Sequence, residues 1–486
     1  MLALGIVQGV VSIRNGTGIP ILAVMITVAV WYVGDAFYND YANYHAKIFS
    51  PEVLSSAWLE VAWFIIVFLA SVSMMHQQIN ARDLSRQSGV LEIFKYGVGQ
   101  PEFQTQLTRL FKGCVLIWLF LGAIATMRLR GEVIHYFFPF IGYKMEPWGR
   151  DRIGGGFSAL LTLAFYFQLI SASVFGIAAA LFTNWRLRAV AILFCALAWP
   201  YFLLDRTRNT MLAAVVPGIL CWGLLRIRGN VLKKIAVLAG CFVVVNAWMA
   251  FVIANRSEMT IVDALHEKGF KLEDSEKTHH EGLNMYEELC WVNTFIENGT
   301  YHPNWGSRYF AELVNPIPRA LWHNKPLIGI DYAIARGQTG GDASGAGVNA
   351  TVSTGMIGQG VVNFGRILGP AAAALLMALW VAVLARQDLH IGELGRLPLY
   401  ACGLILTFNL GRDITLLTLY PFVFGVLTLW WFERNKPRSL PQKSFAPSGQ
   451  NIAATAPDSP SRRRPHAKTA LRNLSRQRAN RRTWSR

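Results

Sequence analysis

Long apolar runs separated by short polar turns recur along the chain. Windows long enough, or nearly long enough, to cross ~30 Å of hydrocarbon fall near residues 19–37, 54–75, 111–129, 156–182, 189–204, 209–225, 233–254, 367–385, 397–410 and 414–432. They predict ten transmembrane helices, with residues 1–13 either a short interfacial segment or the remnant of a further span. The fold class expected is an all-α polytopic membrane protein. It divides into N-terminal transmembrane helices (1–254), an extracytoplasmic loop (255–366), C-terminal transmembrane helices (367–433) and a disordered basic cytoplasmic tail (434–486).

Within the loop, Met285, Leu289, Val292 and Ile296 recur at spacings of three and four, which predicts a helix that stops at Asn298 and Gly299. Residues 315–326, NPIPRALWHNKP, have no apolar periodicity and read as a rigid, proline-pinned segment outside the bilayer. Residues 337–365 are rich in glycine and nearly without charge, a stretch suited to close approach around a ligand. No internal repeat and no matched pair of broken helices is visible, which argues against a transporter built from inverted repeats.

Composition agrees with this pattern: 53% of the residues are hydrophobic and 15% charged, which excludes an ordinary soluble domain. The net charge of +17 suggests nucleic acid until it is mapped. From Arg434 onward fourteen Lys and Arg stand against Asp458 alone, so the tail carries thirteen of the seventeen net charges. Such a cluster after a last span holds that end in the cytoplasm and attracts anionic lipid, so no nucleic-acid partner is expected. Alternation from a cytoplasmic tail puts both termini inside. Arg82, Arg86, Lys95, Arg109, Lys112, Arg186, Arg188, Arg226, Arg228, Lys233, Lys234, Arg386 and Arg396 then fall on the same side.

Five of the six cysteines lie in apolar segments and there is no C-x-x-C, so neither disulfides nor a zinc site is expected. His279, His280, His302 and His323 lack ligand spacing, and GQGVVN lacks a full dinucleotide fingerprint and its strand, so neither a metal nor a nucleotide cofactor is expected.

Several cations break the inside rule: Arg206, Arg208, Arg256, Arg319, Lys325, Arg336 and Arg412 all fall on the outer side. In the turns LLDRTRN and GRD, the arginines are either helix-end groups paired with Asp205 or Asp413, or an anion site, since planar guanidinium groups match phosphate oxygens. Trp291, Tyr301, Trp305, Tyr309 and Trp322 suit either a membrane interface or the faces of sugar rings.

These residues resemble a known family. The run from Glu281 through NPIPRALWHNKP, the segment leading to IGQGVVNFGRILG, and the earlier arginine turn are similar to bacterial O-antigen polymerases, the oligosaccharide repeat unit polymerases, over roughly residues 190–430. Gln359 stands where such sequences often carry an acidic residue.

The resemblance implies a glycosyltransferase of the bacterial inner membrane that joins polyprenyl-pyrophosphate-linked repeat units on the outer face. A chain-length regulator or another polysaccharide assembly protein would be a partner. An O-antigen ligase-like transferase and a lipid-linked oligosaccharide flippase are the alternatives. On this reading Arg319 and Arg206 stabilise the leaving pyrophosphate. Arg208, Arg412, Lys325 and Trp322 bind substrate, and Glu281, Glu287 and His323 remain open as the group that activates the acceptor hydroxyl. The topology predicts that, in a chain carrying Cys290→Ser, Gly340→Cys reacts in intact cells with a membrane-impermeant thiol reagent while Gly449→Cys does not. The reverse pattern would overturn the orientation.

Overall fold

The computed structural model describes residues 1–83, 87–96, 98–131, 133–137, 147–148, 158–204, 208–227, 231–254, 284–315, 317, 321–322, 324–326, 328–337, 352–391, 396–415 and, in short pieces, 419–434. The chain divides into a unit from Met1 to Asn435 and a second from Lys436 to Arg486, and the second, with the tail expected to be disordered, lies outside the described residues.

All regular structure among the described residues is helical. In order, the elements are α1 (Leu2–Val11), α2 (Gly18–Val28), a π turn (Ala29–Val33), α3 (Gly34–Tyr38), α4 (His45–Ile48), α5 (Pro51–Asp83), α6 (Gly89–Tyr96), α7 (Pro101–Arg128) and α8 (Val133–Phe137). Then come α9 (Ser158–Leu181), α10 (Trp185–Leu203), α11 (Arg208–Cys221), a second π turn (Trp222–Arg226), α12 (Val231–Ala254), α13 (Met285–Glu297), α14 (Ser307–Val314), α15 (Ile330–Ala335), α16 (Gly355–Leu389) and α17 (Arg396–Leu410).

Among the described residues, six helical stretches are long and apolar enough to cross a membrane: Gly18–Phe37, Pro51–Met75, Phe103–Arg128, Leu163–Leu181, Trp185–Leu203 and Gly355–Leu389. The protein is membrane-embedded. Thr210–Arg226 and Arg396–Leu410 are apolar but shorter; at 1.5 Å per residue the latter spans only about 22 Å. The window expected at 414–432 is described only in pieces. The N-terminal stretch forms α1, ten residues long, too short to cross and packed against α2.

Two groups of helices make the core. In the first, α7, α10 and α11 surround α9, with Gly176 and Gly218 letting α9 and α11 touch backbone to backbone. In the second, α2, α5 and α17 surround α16, and α11 against α17 joins the groups.

Helix α16 is where pattern and structure part. It begins at Gly355, ahead of the window expected at 367–385, and is broken at Gly365, whose φ of 77° and ψ of −179° only glycine adopts readily. The chain turns back there, so that Gly360 in a short arm, 355–364, lies on Gly369 in a long arm, 366–389. A Cβ on Gly360 would come within 2.2 Å of the Gly369 carbonyl oxygen. The glycines of 355–363 therefore serve helix-on-helix contact, and every residue from Gly355 to Asn363 is buried. The expectation of a ligand-hugging stretch is not met over that part, while residues 338–351 lie outside the described residues.

The π turn between α2 and α3 receives the hairpin. Its extra residue per turn places Trp31, whose Nε1 donates to the Phe408 carbonyl (2.8 Å), beside Tyr32, whose hydroxyl accepts from the Ile357 amide (2.9 Å). Adding one methyl at the hairpin contact should overpack it by about 1–3 kcal/mol. Gly360→Ala is expected to lower the melting temperature of the detergent-solubilised protein by several degrees, while Gly122→Ala on α7, where a Cβ meets nothing within 4 Å, leaves it unchanged or slightly raised.

Candidate functional site

The foot of the short hairpin arm meets the turn that follows α17. The Met356 amide donates to the Gly411 carbonyl (3.1 Å). Gln359 then pairs with both backbone groups of Ile414: its Nε2 donates to the carbonyl (3.2 Å) and its Oε1 accepts from the amide (2.8 Å). A carboxylate at this position has no donor for the Ile414 carbonyl, which is a physical reason for glutamine here. The Asp413 Oδ1 lies 3.4 Å from the Thr354 amide and 3.5 Å from its hydroxyl, and Arg412 Nε donates to the Ser353 hydroxyl (2.9 Å).

Over this foot lies α14, tied to the tip of the arm. The Asn304 amide donates to the Val362 carbonyl (3.0 Å), and the Tyr309 amide to Asn363 Oδ1 (3.2 Å). Asn363 Nδ2 is fixed in turn on the Gln359 carbonyl (2.7 Å). Gly306, with φ of 88°, gives α14 its abrupt start beneath the Phe364 ring.

Arg308, in the first turn of α14, is 4% exposed. Its Nη2 lies 3.7 Å from Asp413 Oδ1 and 3.4 Å from the Val352 carbonyl, both long, while its Nε and Nη1 have no hydrogen-bond partner. The nearby Tyr309 hydroxyl is buried and unpartnered as well. Burial raises the pKa of the Asp413 carboxyl, and the long contact with Arg308 offsets this only in part. Burial likewise pushes the Tyr309 phenol up.

A buried guanidinium costs several kcal/mol unless its donors are satisfied, and Arg308 keeps two of its three nitrogens unsatisfied. With exposed Arg412 on the adjoining turn and the Ser353 and Thr354 hydroxyls beside it, the arrangement has the chemistry of an anion site in which guanidinium forks meet phosphate oxygens.

A second polar cluster adjoins it. Asp35 on α3 accepts from the Glu287 amide (2.8 Å) and from Asn39 Nδ2 (2.6 Å), with His45 Nε2 3.8 Å away. Glu287 Oε1 accepts from the Tyr44 hydroxyl (3.3 Å) and Trp291 Nε1 (3.2 Å), and the Arg336 Nη2 lies 3.7 Å off. Glu288 takes the Tyr332 hydroxyl (2.7 Å) and Arg336 Nη2 (3.0 Å). The Arg336 guanidinium also stacks 4.5 Å over the Trp291 ring. This network docks α13 on α3 and α15. A third, Arg366 between Glu60 (3.1 Å) and Glu297 (2.6 Å), clamps the hairpin tip to α5 and α13. It borders an open pocket of about 310 Å³ lined by Ser56, Leu59, Glu60, Trp63, Arg366 and Ile367.

Of the residues expected in the site, Arg206, Glu281, Arg319 and His323 lie outside the described residues, as does the side chain of Arg208. Arg412 is exposed on the turn beside Arg308, and its neighbour Asp413 faces Arg308. Glu287 is buried in the docking network. Lys325 is buried too: its ammonium donates to the Asn315 (2.7 Å) and Ile317 (3.0 Å) carbonyls, closing the proline-rich segment on itself. Trp322 is half-buried, edge-on to Phe310 at 6.4 Å. Among the described residues no group of three His, Cys, Asp or Glu is arranged to hold a metal ion.

Arg308, Ser353 and Thr354 escaped sequence reasoning. The one usable signal is the spacing of Arg308 and Glu312, four apart on one helix face, which a water-facing reading turns to the outside.

Comparison with protein-family models, with curated proteins and with solved structures found no match for the chain.

The charge balance at Arg308 predicts how anions bind. Asp413→Asn removes the carboxylate facing Arg308 and should tighten inorganic pyrophosphate binding to the purified protein by about three- to tenfold near neutral pH. Arg308→Ala should abolish it, as read by isothermal titration calorimetry. Weaker binding in the asparagine variant would show that Asp413 holds the site together rather than opposing the anion.

Proposed function

We propose that the chain is a polytopic glycosyltransferase that polymerises polyprenyl-pyrophosphate-linked oligosaccharide repeat units into a bacterial surface polysaccharide at the outer face of the inner membrane. The observation that supports this best is the buried, under-satisfied Arg308 beside the exposed Arg412 at the foot of a broken helix. The resemblance in the sequence supplies the substrate class, and the anion chemistry of the two arginines fits a pyrophosphate leaving group.

In this reading ten spans place both termini in the cytoplasm and the loop 255–366 outside. Arg308 and Arg412 contact the pyrophosphate of the donor. The acceptor hydroxyl attacks the anomeric carbon, and its oxygen forms the new glycosidic bond. The bond from that carbon to the pyrophosphate oxygen breaks, the electron pair leaves with the pyrophosphate, and the hydroxyl proton passes to a base. Fixed guanidinium groups lower the barrier because negative charge grows on the leaving oxygens, and they are already oriented when it does. Glu281, Glu287 and His323 remain the alternatives for the base. Arg206, Arg208 and Arg319 remain candidates for the same anion.

A second reading is favoured by the hairpin itself. Broken helices with an irregular turn at their foot are common where transporters bind substrate, so a flippase for the same lipid-linked oligosaccharide also fits. The two separate on chemistry: proteoliposomes supplied with lipid-linked repeat units release free polyprenyl pyrophosphate and form longer glycans only if the chain is a transferase.

The decisive variants are at Arg308. Loss of charge-assisted hydrogen bonds specific to the transition state forfeits about 1.5–3 kcal/mol, or roughly ten- to a hundredfold in rate. Arg308→Ala at matched membrane protein level should collapse the cellular polymer ladder. Arg308→Lys should rescue little, because an ammonium lacks the planar fork. Wild-type ladders from both variants would remove Arg308 from the reaction.

A further inference from the structure

Helix α14 is turned the wrong way for water. Arg308, Ala311 and Glu312 are buried, while Phe310 is 50% and Leu313 62% exposed. The outward side continues beyond the helix through Trp305 at 77%, Ile317 at 37% and Leu321 at 81%. The two faces follow helical geometry. Residues 308, 311 and 312 share one side, and 310 and 313 share the other. Between Trp305 and Lys325 no described residue exposes a charged side chain, since Arg308, Glu312 and Lys325 are all buried.

A soluble loop does the reverse, exposing its charges and hiding its large apolar side chains. Hidden charge and exposed apolar surface over the described residues of this stretch point to a lipid surround.

The position of the segment names the same occupant. The Asn304 amide on the Val362 carbonyl and Gly306 under Phe364 set α14 against the hairpin tip. Immediately past that tip, Ile367 and Leu368 on the membrane-spanning arm are exposed. Leu59 and Trp63 on α5 are exposed beside them, and the Trp63 indole donates to the Ile367 carbonyl. The apolar face of 305–315 thus borders the exposed apolar side of α5 and α16, with a tryptophan at its start, as is usual for segments lying at a bilayer boundary.

We propose that residues 305–315 are an in-plane membrane element whose apolar face, continued by Ile317 and Leu321, is covered by the acyl chains of the leaflet surrounding the hairpin tip. The element does not stand outside the bilayer, as the proline-rich pattern suggests. Lipid holds one face of α14, the hairpin holds its N-terminus, and Arg308 on the opposite face is set over the Gly411–Asp413 turn. The inference does not rest on the proposed reaction.

The test uses the full-length chain carrying Cys241→Ser, reconstituted in nanodiscs of phosphatidylethanolamine and phosphatidylglycerol. A bimane fluorophore is attached at Leu313→Cys or, in a second protein, at Leu321→Cys, with the exposed His302→Cys as the aqueous reference. Nitroxide lipids labelled high on the acyl chain should quench the labels at 313 and 321 at least about twofold more than they quench the label at 302, and iodide should do the opposite. Iodide quenching at 313 and 321 equal to that at 302 would place the segment in water. Protection from both quenchers would mean that protein covers the face. Either result overturns the proposal, whatever the chain catalyses.

Discussion

A helix that stops among apolar neighbours leaves backbone amides and carbonyls that must find partners, because water is not there to supply them. The start of α16 at Gly355, among buried residues, creates that demand, and much of the surrounding structure answers it. The Gly411 carbonyl takes the Met356 amide, the Tyr32 hydroxyl takes the Ile357 amide, and the side chain of Gln359 matches both groups of Ile414. These are long-range pairings between segments far apart in sequence, so the hairpin sets the position of α2, α17 and the turn after it together. The Arg308 site exists because that turn is held at the foot of the arm. Ten residues of helix separate the foot from the tip, a drop of about 15 Å.

The same constraint explains which polar groups are scaffold and which are available. Glu60, Glu287 and Glu288 are each held by several donors and connect helices. Lys325 closes its own loop. Arg308 differs: it has one long contact with a carboxylate, one long contact with a carbonyl, and two nitrogens without partners. Asp413 gives only partial neutralisation, for burial disfavours its charged form more than Arg308 favours it. Beside these satisfied groups Arg308 is left under-satisfied, and Arg412 on the adjoining turn adds to its positive potential.

Much of the helical framework was legible because it depends on local pattern. The stop at Asn298 and Gly299 is where α13 ends, with Gly299 at a φ of 69°. The window at 54–75 sits inside α5, and those at 111–129 and 156–182 match α7 and α9 to within two residues at the ends that they overrun. The hairpin was not legible, since 355–364 is as apolar as a continuation of the next span and the reversal needs only the conformation of Gly365 and the missing side chains of Gly360 and Gly369. The site was half legible. The GRD turn advertised itself by interrupting apolar sequence, but whether Asp413 pairs with Arg412 or with a residue more than a hundred positions earlier is a tertiary fact, and the structure pairs it with Arg308.

Arg308 was missed for a deeper reason. Periodicity reports that a helix has two faces and leaves open which one is inside, because that depends on the solvent. In water, Phe310 and Leu313 would be buried and Arg308 would be an unremarkable surface cation. With lipid on the apolar side, the inversion costs nothing there and turns the arginine inward, where its donors face a turn instead of water. The polarity of α14 is therefore set jointly by the hairpin, which fixes its N-terminus through Asn304 and Tyr309, and by the medium outside. A cation held this way keeps its charge without being exposed.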